Sequence, residues 1–334
     1  MVLPFLLGAA AIGAGVKGIQ KGVQAVSDNS KAKNIYEKSQ NKYQETERDL
    51  NYYRRNTGES LKKLGTLKLA VWDEQLGRFI GLFEQLNNVE LTGQANVEEM
   101  NAARFTDDEL KQMKSISLKA QEALLGGAGA LGSGALAGVA AYGGAMMFAS
   151  ASTGTAISTL AGAAATNATL AWFGGGALAA GGFGMAGGVA VLGGIVAGPV
   201  LAVGGMMIAA KARENLANAK KYKAKARKAV EEMNNAIAVL EAINDVARQF
   251  DGVITKLSQG FVPVLDDLES IIAYAGKDYA FYTQEQKQQV HIAVQFAQLL
   301  KLVLETPLLT SDGAVDRNCF KALQKGQKAL SSNS

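Results

Sequence analysis

Between Glu122 and Lys211 the chain runs for 88 residues, 123–210, without a single Asp, Glu, Lys or Arg. Of the 38 glycines in the 334-residue sequence, 23 fall in this stretch, interleaved with Ala, Val, Leu, Ile and Met, as in GGVAVLGGIVAGPVLAVGGMM. A helix needs about 20 predominantly apolar residues to cross a bilayer core of about 30 Å, so the stretch has room for several crossings. Its polar punctuation divides it into residues 124–150, the segment SASTGT, residues 156–173 with Thr166, Asn167 and Thr169 inside, three glycines at 174–176, and residues 177–210. The outer two segments are the expected spans.

The energetics of insertion are modest. Leu, Ile, Phe and Val each contribute about −0.3 to −0.6 kcal/mol at a helix centre. Residues 177–210 hold 11 of them and residues 124–150 hold six, which gives roughly −3 to −7 and −2 to −4 kcal/mol. The ten glycines of 177–210 oppose this, because Gly costs about 1 kcal/mol relative to Ala inside a helix. In lipid, however, small residues let helix backbones approach closely. The pairs Gly134/Gly138, Gly184/Gly188 and Gly194/Gly198 have the four-residue spacing of a glycine zipper. They are the expected pore-lining or helix-packing positions, in thin helices that depend on one another. The competing readings are the apolar core of a soluble bundle and a low-complexity segment without fixed structure.

The flanks read as long helices. Residues 1–26 form an apolar N-terminal helix in which Lys17 and Lys21 follow the apolar run, the reverse of a secretory signal peptide. From 30 to 86 apolar residues recur at helical spacing, with a break expected near Asn56 to Gly58; Tyr36, Tyr43, Leu50, Leu64 and Val71 keep a seven-residue register. Tyr52 and Trp72 are read as packing residues. Residues 87–107 read as a connection, after which Thr106 caps a helix whose first turn carries Asp107, Asp108 and Glu109.

Beyond the glycine-rich stretch, Lys211, Arg213, Lys220, Lys221, Lys223, Lys225, Arg227 and Lys228 face the single acid Glu214. Positive charge beside a span is retained on the cytoplasmic side, and each Lys or Arg near an anionic leaflet contributes about 1 kcal/mol. These residues are the expected contacts to anionic lipid or to a polyanion such as a nucleotide or oligonucleotide, the alternative being a solvated helix face. Val230, Met233, Ile237, Leu240, Ile243, Ala247, Phe250, Ile254, Leu257 and Phe261 then alternate in steps of three and four, so a second coiled-coil-like helix should pair with the first. Pro263 is expected to bend or end it. Thr283 with Gln286 has capping-box spacing before another helix, and a turn at 311–313 precedes a last helix over 315–330. The domains expected are thus 1–26, a helical stalk over 27–122, a membrane hairpin over 123–210, a basic then amphipathic helix over 211–276, and a helical subdomain over 277–334.

Catalytic chemistry is not legible. No GxxxxGK[ST] occurs, and the GxGxxG-like pattern at 182–187 has neither a preceding strand nor an acid about 20 residues on. Asp266, Asp267 and Glu269 read as a solvated face, and His291 as a packing or surface residue. Cys319 is the one cysteine and His291 the one histidine, which leaves no disulfide and no histidine-rich metal site and fits a reducing cytoplasm. We expect no enzyme, cofactor or metal.

Two long amphipathic helices, 30–86 and 211–261, flanking the charge-free stretch 123–210 resemble the helical pore-forming proteins such as the cytolysin A-like toxins, and more loosely the apolipoprotein L proteins. The glycine-rich core is similar to that of bacterial membrane effectors that depolarise the host in phage defence. No functional residue transfers on this likeness, which is one of architecture. It implies an all-α protein with long coiled-coil-like helices around a glycine-rich membrane-inserting hairpin. The expected function is an oligomeric pore or channel of the bacterial inner membrane with its C-terminal part in the cytoplasm. Its expected partners are membrane lipids, further copies of itself, and a polyanionic or protein regulator. The alternative is a non-conducting membrane scaffold that recruits a partner through its coiled coil.

Overall fold

The computed structural model describes residues 5–89, 105–125, 136, 139–141, 216–310 and 313–332, with side chains from residue 28 onward. The described residues are about 88% helical and contain no strand. The protein is all-α. Its helices are α1 (Phe5–Val71), a π-helical turn (Trp72–Leu76), α2 (Gly77–Phe83), α3 (Asp107–Leu125), α4 (Leu216–Ala275), a 3-10 turn (Tyr279–Phe281), α5 (Gln284–Glu305) and α6 (Cys319–Ser332). The chain divides into two compact units, Met1–Arg54 with Val196–Ala238, and Arg55–Ile195 with Val239–Ser334.

In the first unit the described core is a seam between α1 and α4. Ala32, Tyr43 and Leu50 are buried on α1, and Ala219, Tyr222, Ala226, Ala229, Met233 and Ala236 on α4. The α4 residues follow steps of three and four, as a heptad seam requires. Val230 and Ile237, expected in that seam, are only half-buried. The neighbouring Ala229 and Ala236 take those positions, because an alanine seam lets two backbones come close while the β-branched residues flank it. Tyr36 and Tyr222 close the seam, with ring centroids 5.0 Å apart.

The second unit holds most of the core. Helix α1 runs on through the break expected at Asn56 to Gly58. One glycine costs a helix only about 1 kcal/mol. Here Thr57 sends its hydroxyl to the Leu240 carbonyl at 3.1 Å, and Leu61 and Leu64 are buried one turn on. Lys63 pairs with Asp251 at 3.0 Å, Arg78 with Asp266 at 2.8 Å, and the Asn87 amide donates to the Lys277 carbonyl at 2.7 Å. Partner numbers rise together, so the two long helices run parallel in this unit. The π turn inserts one extra residue into the helical register, which puts both Val71 and Trp72 inside.

Helix α4 passes Pro263 and continues to Ala275, so of the two outcomes expected at this proline, a bend or an end, the end does not occur. Proline removes one backbone bond, but Phe261, Leu265, Leu268 and Ile272 are buried on both sides of it. Packing holds the helix together across the defect.

Helix α3 runs antiparallel to α2. Lys114 pairs with Glu84 at 2.7 Å, and Glu109 takes Lys301 of α5 at 3.2 Å. Its N-terminus is capped as expected, the Glu109 amide donating to the Thr106 hydroxyl at 3.2 Å. The Thr283/Gln286 capping box opens α5. The last helix begins four residues later than expected, at Cys319, because Val315 bridges back to Leu309 and the Asp316 carboxylate caps the turn through the Asn318 amide at 2.8 Å.

Candidate functional site

Of the residues expected to act in a membrane, Gly134, Gly138, Gly184, Gly188, Gly194, Gly198, Lys211 and Arg213 lie outside the described residues. Among the described residues, no helix is long and apolar enough to cross a membrane, and no group of three or more His, Cys, Asp or Glu side chains could hold a metal ion. What is described at the site is the head of the glycine-rich stretch, in the second unit, and the basic run, in the first.

The head of the stretch is built into the helical core. Leu136 is 1% exposed, and Ala140 and Ala141 are fully buried. Leu136 reaches this depth because residue 65 of α1 has no side chain. A Cβ on Gly65 would overlap the Leu136 carbonyl, with the carbonyl carbon only 2.7 Å away. The Ala141 carbonyl accepts two backbone amides from the connection between α5 and α6, Leu308 at 2.6 Å and Leu309 at 3.0 Å. Leu308 and Leu309 are themselves buried, and the Asp316 amide holds the Leu308 carbonyl at 2.8 Å. Leu136 and residues 139–141, which are helical, thus form a strap seated between α1 and this connection.

Lys68 sits at the centre of these contacts and is 1% exposed. Its ammonium donates to the Ala140 carbonyl at 3.2 Å and to the Thr306 carbonyl at 3.3 Å. It also lies 5.6 Å from the centre of the Phe250 ring on α4. Burial is the main influence on its protonation and lowers its pKa from 10.5 to about 7, with the nearby Cys319 thiol acting in the opposite direction. Burial likewise raises the Cys319 pKa to about 11. A buried ammonium is costly unless hydrogen-bonded, and the partners here are two carbonyl dipoles on separate segments. Neither Gly65 nor Lys68 stood out in the sequence. The signal was there for Lys68, since 61, 64, 68 and 71 follow the apolar spacing of α1 and three of the four residues are Leu, Leu and Val.

Compared with protein-family models, curated proteins and solved structures, the chain matches none of them.

The basic run divides cleanly by face. Lys220, Lys221, Lys223, Lys225, Arg227 and Lys228 are exposed, while Ala219, Tyr222, Ala226 and Ala229 between them are buried. Lys228 pairs with Glu232 on the same helix at 3.8 Å. Six cations within nine residues of one helix make a field that attracts an anionic surface. The acids at 266 and 269 do not form a comparable site, because Arg78 bridges Asp266 and Glu269. His291 is partly buried, and desolvation lowers its pKa.

Proposed function

We propose that this chain is a membrane-active protein that assembles through its glycine-rich stretch into an oligomeric pore or channel. The observation that carries the reading is the 88-residue charge-free stretch followed directly by the basic run. Lipid offers unpaired backbone groups no partner, so a chain spans it as helices or as a closed barrel; in an all-α protein we take the stretch to enter as helices, and its small residues favour helices that pack on each other. The exposure of all six described cations of the run supports a role in holding the adjoining segment at an anionic leaflet. In this reading the protein works from the cytoplasmic side of a bacterial inner membrane, in the manner of the phage-defence effectors it resembles, and the helical part restrains it until it is triggered. We propose no catalytic role.

Flotation and dye release with vesicles containing anionic phospholipid test this. The pore reading expects the full chain to float with the vesicles and to release a trapped dye. Flotation without release would favour the second reading, a scaffold that binds lipid and recruits a partner through the exposed faces of its paired helices. A protein that does neither is not membrane-active in the sense proposed.

A further inference from the structure

We propose that Leu136 and residues 139–141 act as an autoinhibitory strap, locked onto the helical unit by Lys68 and by the connection after α5, and that this strap must unhook before the segment 124–150 can enter a bilayer. This rests on the membrane reading above and adds to it the identity of the restraint.

The argument is one of competing hydrogen bonds. A helix that continued from Ala141 toward residue 150 would need the Ala141 carbonyl for the amide of residue 145. In lipid that bond is obligatory, because no water replaces it. A backbone carbonyl has two lone pairs, and in the strap the Ala141 oxygen already accepts two amides, those of Leu308 and Leu309. The next carbonyl back, that of Ala140, takes the Lys68 ammonium. The strapped state and a span through this point therefore compete for the Ala141 acceptor, while Lys68 adds a second tether at the Ala140 carbonyl.

The lock uses polar groups where apolar packing alone would have served. Lys68 occupies a seam position between Leu64 and Trp72, both buried, and reaches across to carbonyls on two separate segments, at residues 140 and 306. The groups that face it from the elements around it are the Phe250 ring of α4, the Cys319 thiol of α6 and these carbonyls; Cys319 is the titratable one. The receiving connection is in turn held by the amide of Asp316. This gives the C-terminal residues a purpose, since they build the socket into which the strap fits.

Gly65→Ala is the direct test. Alanine favours the α1 helix but its methyl overlaps the Leu136 carbonyl, so the strap is displaced while the helix gains. The expected result, measured on the full chain, is faster hydrogen exchange at the Leu308 and Leu309 amides without lipid, together with dye release from anionic vesicles faster by roughly tenfold or more. Leu136→Ala provides a second variant that leaves α1 untouched. It weakens the packing of the strap and also makes residues 124–150 less apolar. Faster release from this variant can come only from loosening, because its insertion tendency falls. The strap is overturned if both variants expose the Leu308 and Leu309 amides yet release dye no faster than an active unmutated protein, or if those amides are already unprotected in the unmutated protein. If unmutated chain and variants all fail to bind vesicles while the variants alone expose these amides, the membrane reading has failed and the restraint with it. That pattern differs from the first, in which binding and basal release persist.

Discussion

Lys68 makes the sharpest residue-scale prediction. Its pKa is about 7 in the folded protein and 10.5 when freed, so the unfolded chain holds more protons between these values. Stability contributed by this residue therefore rises with pH across that window and is flat below about pH 7. The change is bounded by roughly 5 kcal/mol, at 1.36 kcal/mol per pKa unit. Cys319, raised from 9.0 to about 11, works in the opposite direction above pH 9, so the clean interval is pH 7 to 9. Urea titrations over that interval should show the midpoint climbing in the unmutated protein and staying level in Lys68→Met; an equal climb in both would remove Lys68 from the account. Sequence reasoning passed over this lysine because cations usually read as surface residues. The carbonyls of residues 140 and 306 and the Phe250 ring, brought together by the fold, make its burial tolerable. Gly65 was hidden for the same reason, since nothing in α1 alone says which glycine another backbone will approach.

For the individual elements, the features set by local chemistry could be read from the chain. The caps at Thr106 and Thr283 depend on a hydroxyl and residues three positions on, and both formed as expected. The seam of α4 from Leu240 to Phe261 was equally plain, because large apolar side chains mark it. Its earlier part was misread by one position, since Ala229 and Ala236 attract less notice than Val230 and Ile237. Neither the passage of α4 through Pro263 nor the parallel direction of α1 and α4 is encoded locally; both follow from cross-helix packing and pairs such as Lys63–Asp251. Two predictions follow at this scale. Deleting residues 142–210 is expected to keep the strap in its socket, whereas deleting 126–210 also strips Leu136, Ala140 and Ala141 from the core while leaving α3 whole. The longer deletion should melt lower by several degrees, given about 2–5 kcal/mol for loss of a buried Leu alone. Equal melting temperatures, by circular dichroism, would mean that the strap contributes nothing to the fold. Reversing Lys220, Lys221 and Lys223 to Glu leaves the buried Ala219, Tyr222 and Ala226 in place. Helicity should hold while binding to anionic vesicles weakens about as much as it does for the unmutated protein in high salt. Unchanged vesicle binding, with lost affinity for an oligonucleotide instead, would reassign the face to a polyanionic regulator.

At the scale of the whole molecule, the all-α architecture was legible from periodicity and from the scarcity of Pro, whereas the restraint on the glycine-rich stretch was not, because it is made by residues far apart in sequence. Residues 177–210 are the more insertable segment by composition, and Gly194 with Gly198 is the seam on which assembly should depend. Replacing both by Leu adds about −0.3 to −0.6 kcal/mol of insertion tendency each and blocks close helix approach. Membrane association should survive while ion leakage falls, as read by fractionation and a membrane-potential dye in the same cells. The central claim, that the chain conducts, is tested most directly by current across a planar bilayer containing anionic lipid. Discrete conductance steps are expected from the full chain, and none from the protein lacking residues 142–210. Protein that is demonstrably bound to the bilayer, with Gly65→Ala included to free the strap, and yet passes no current would contradict it.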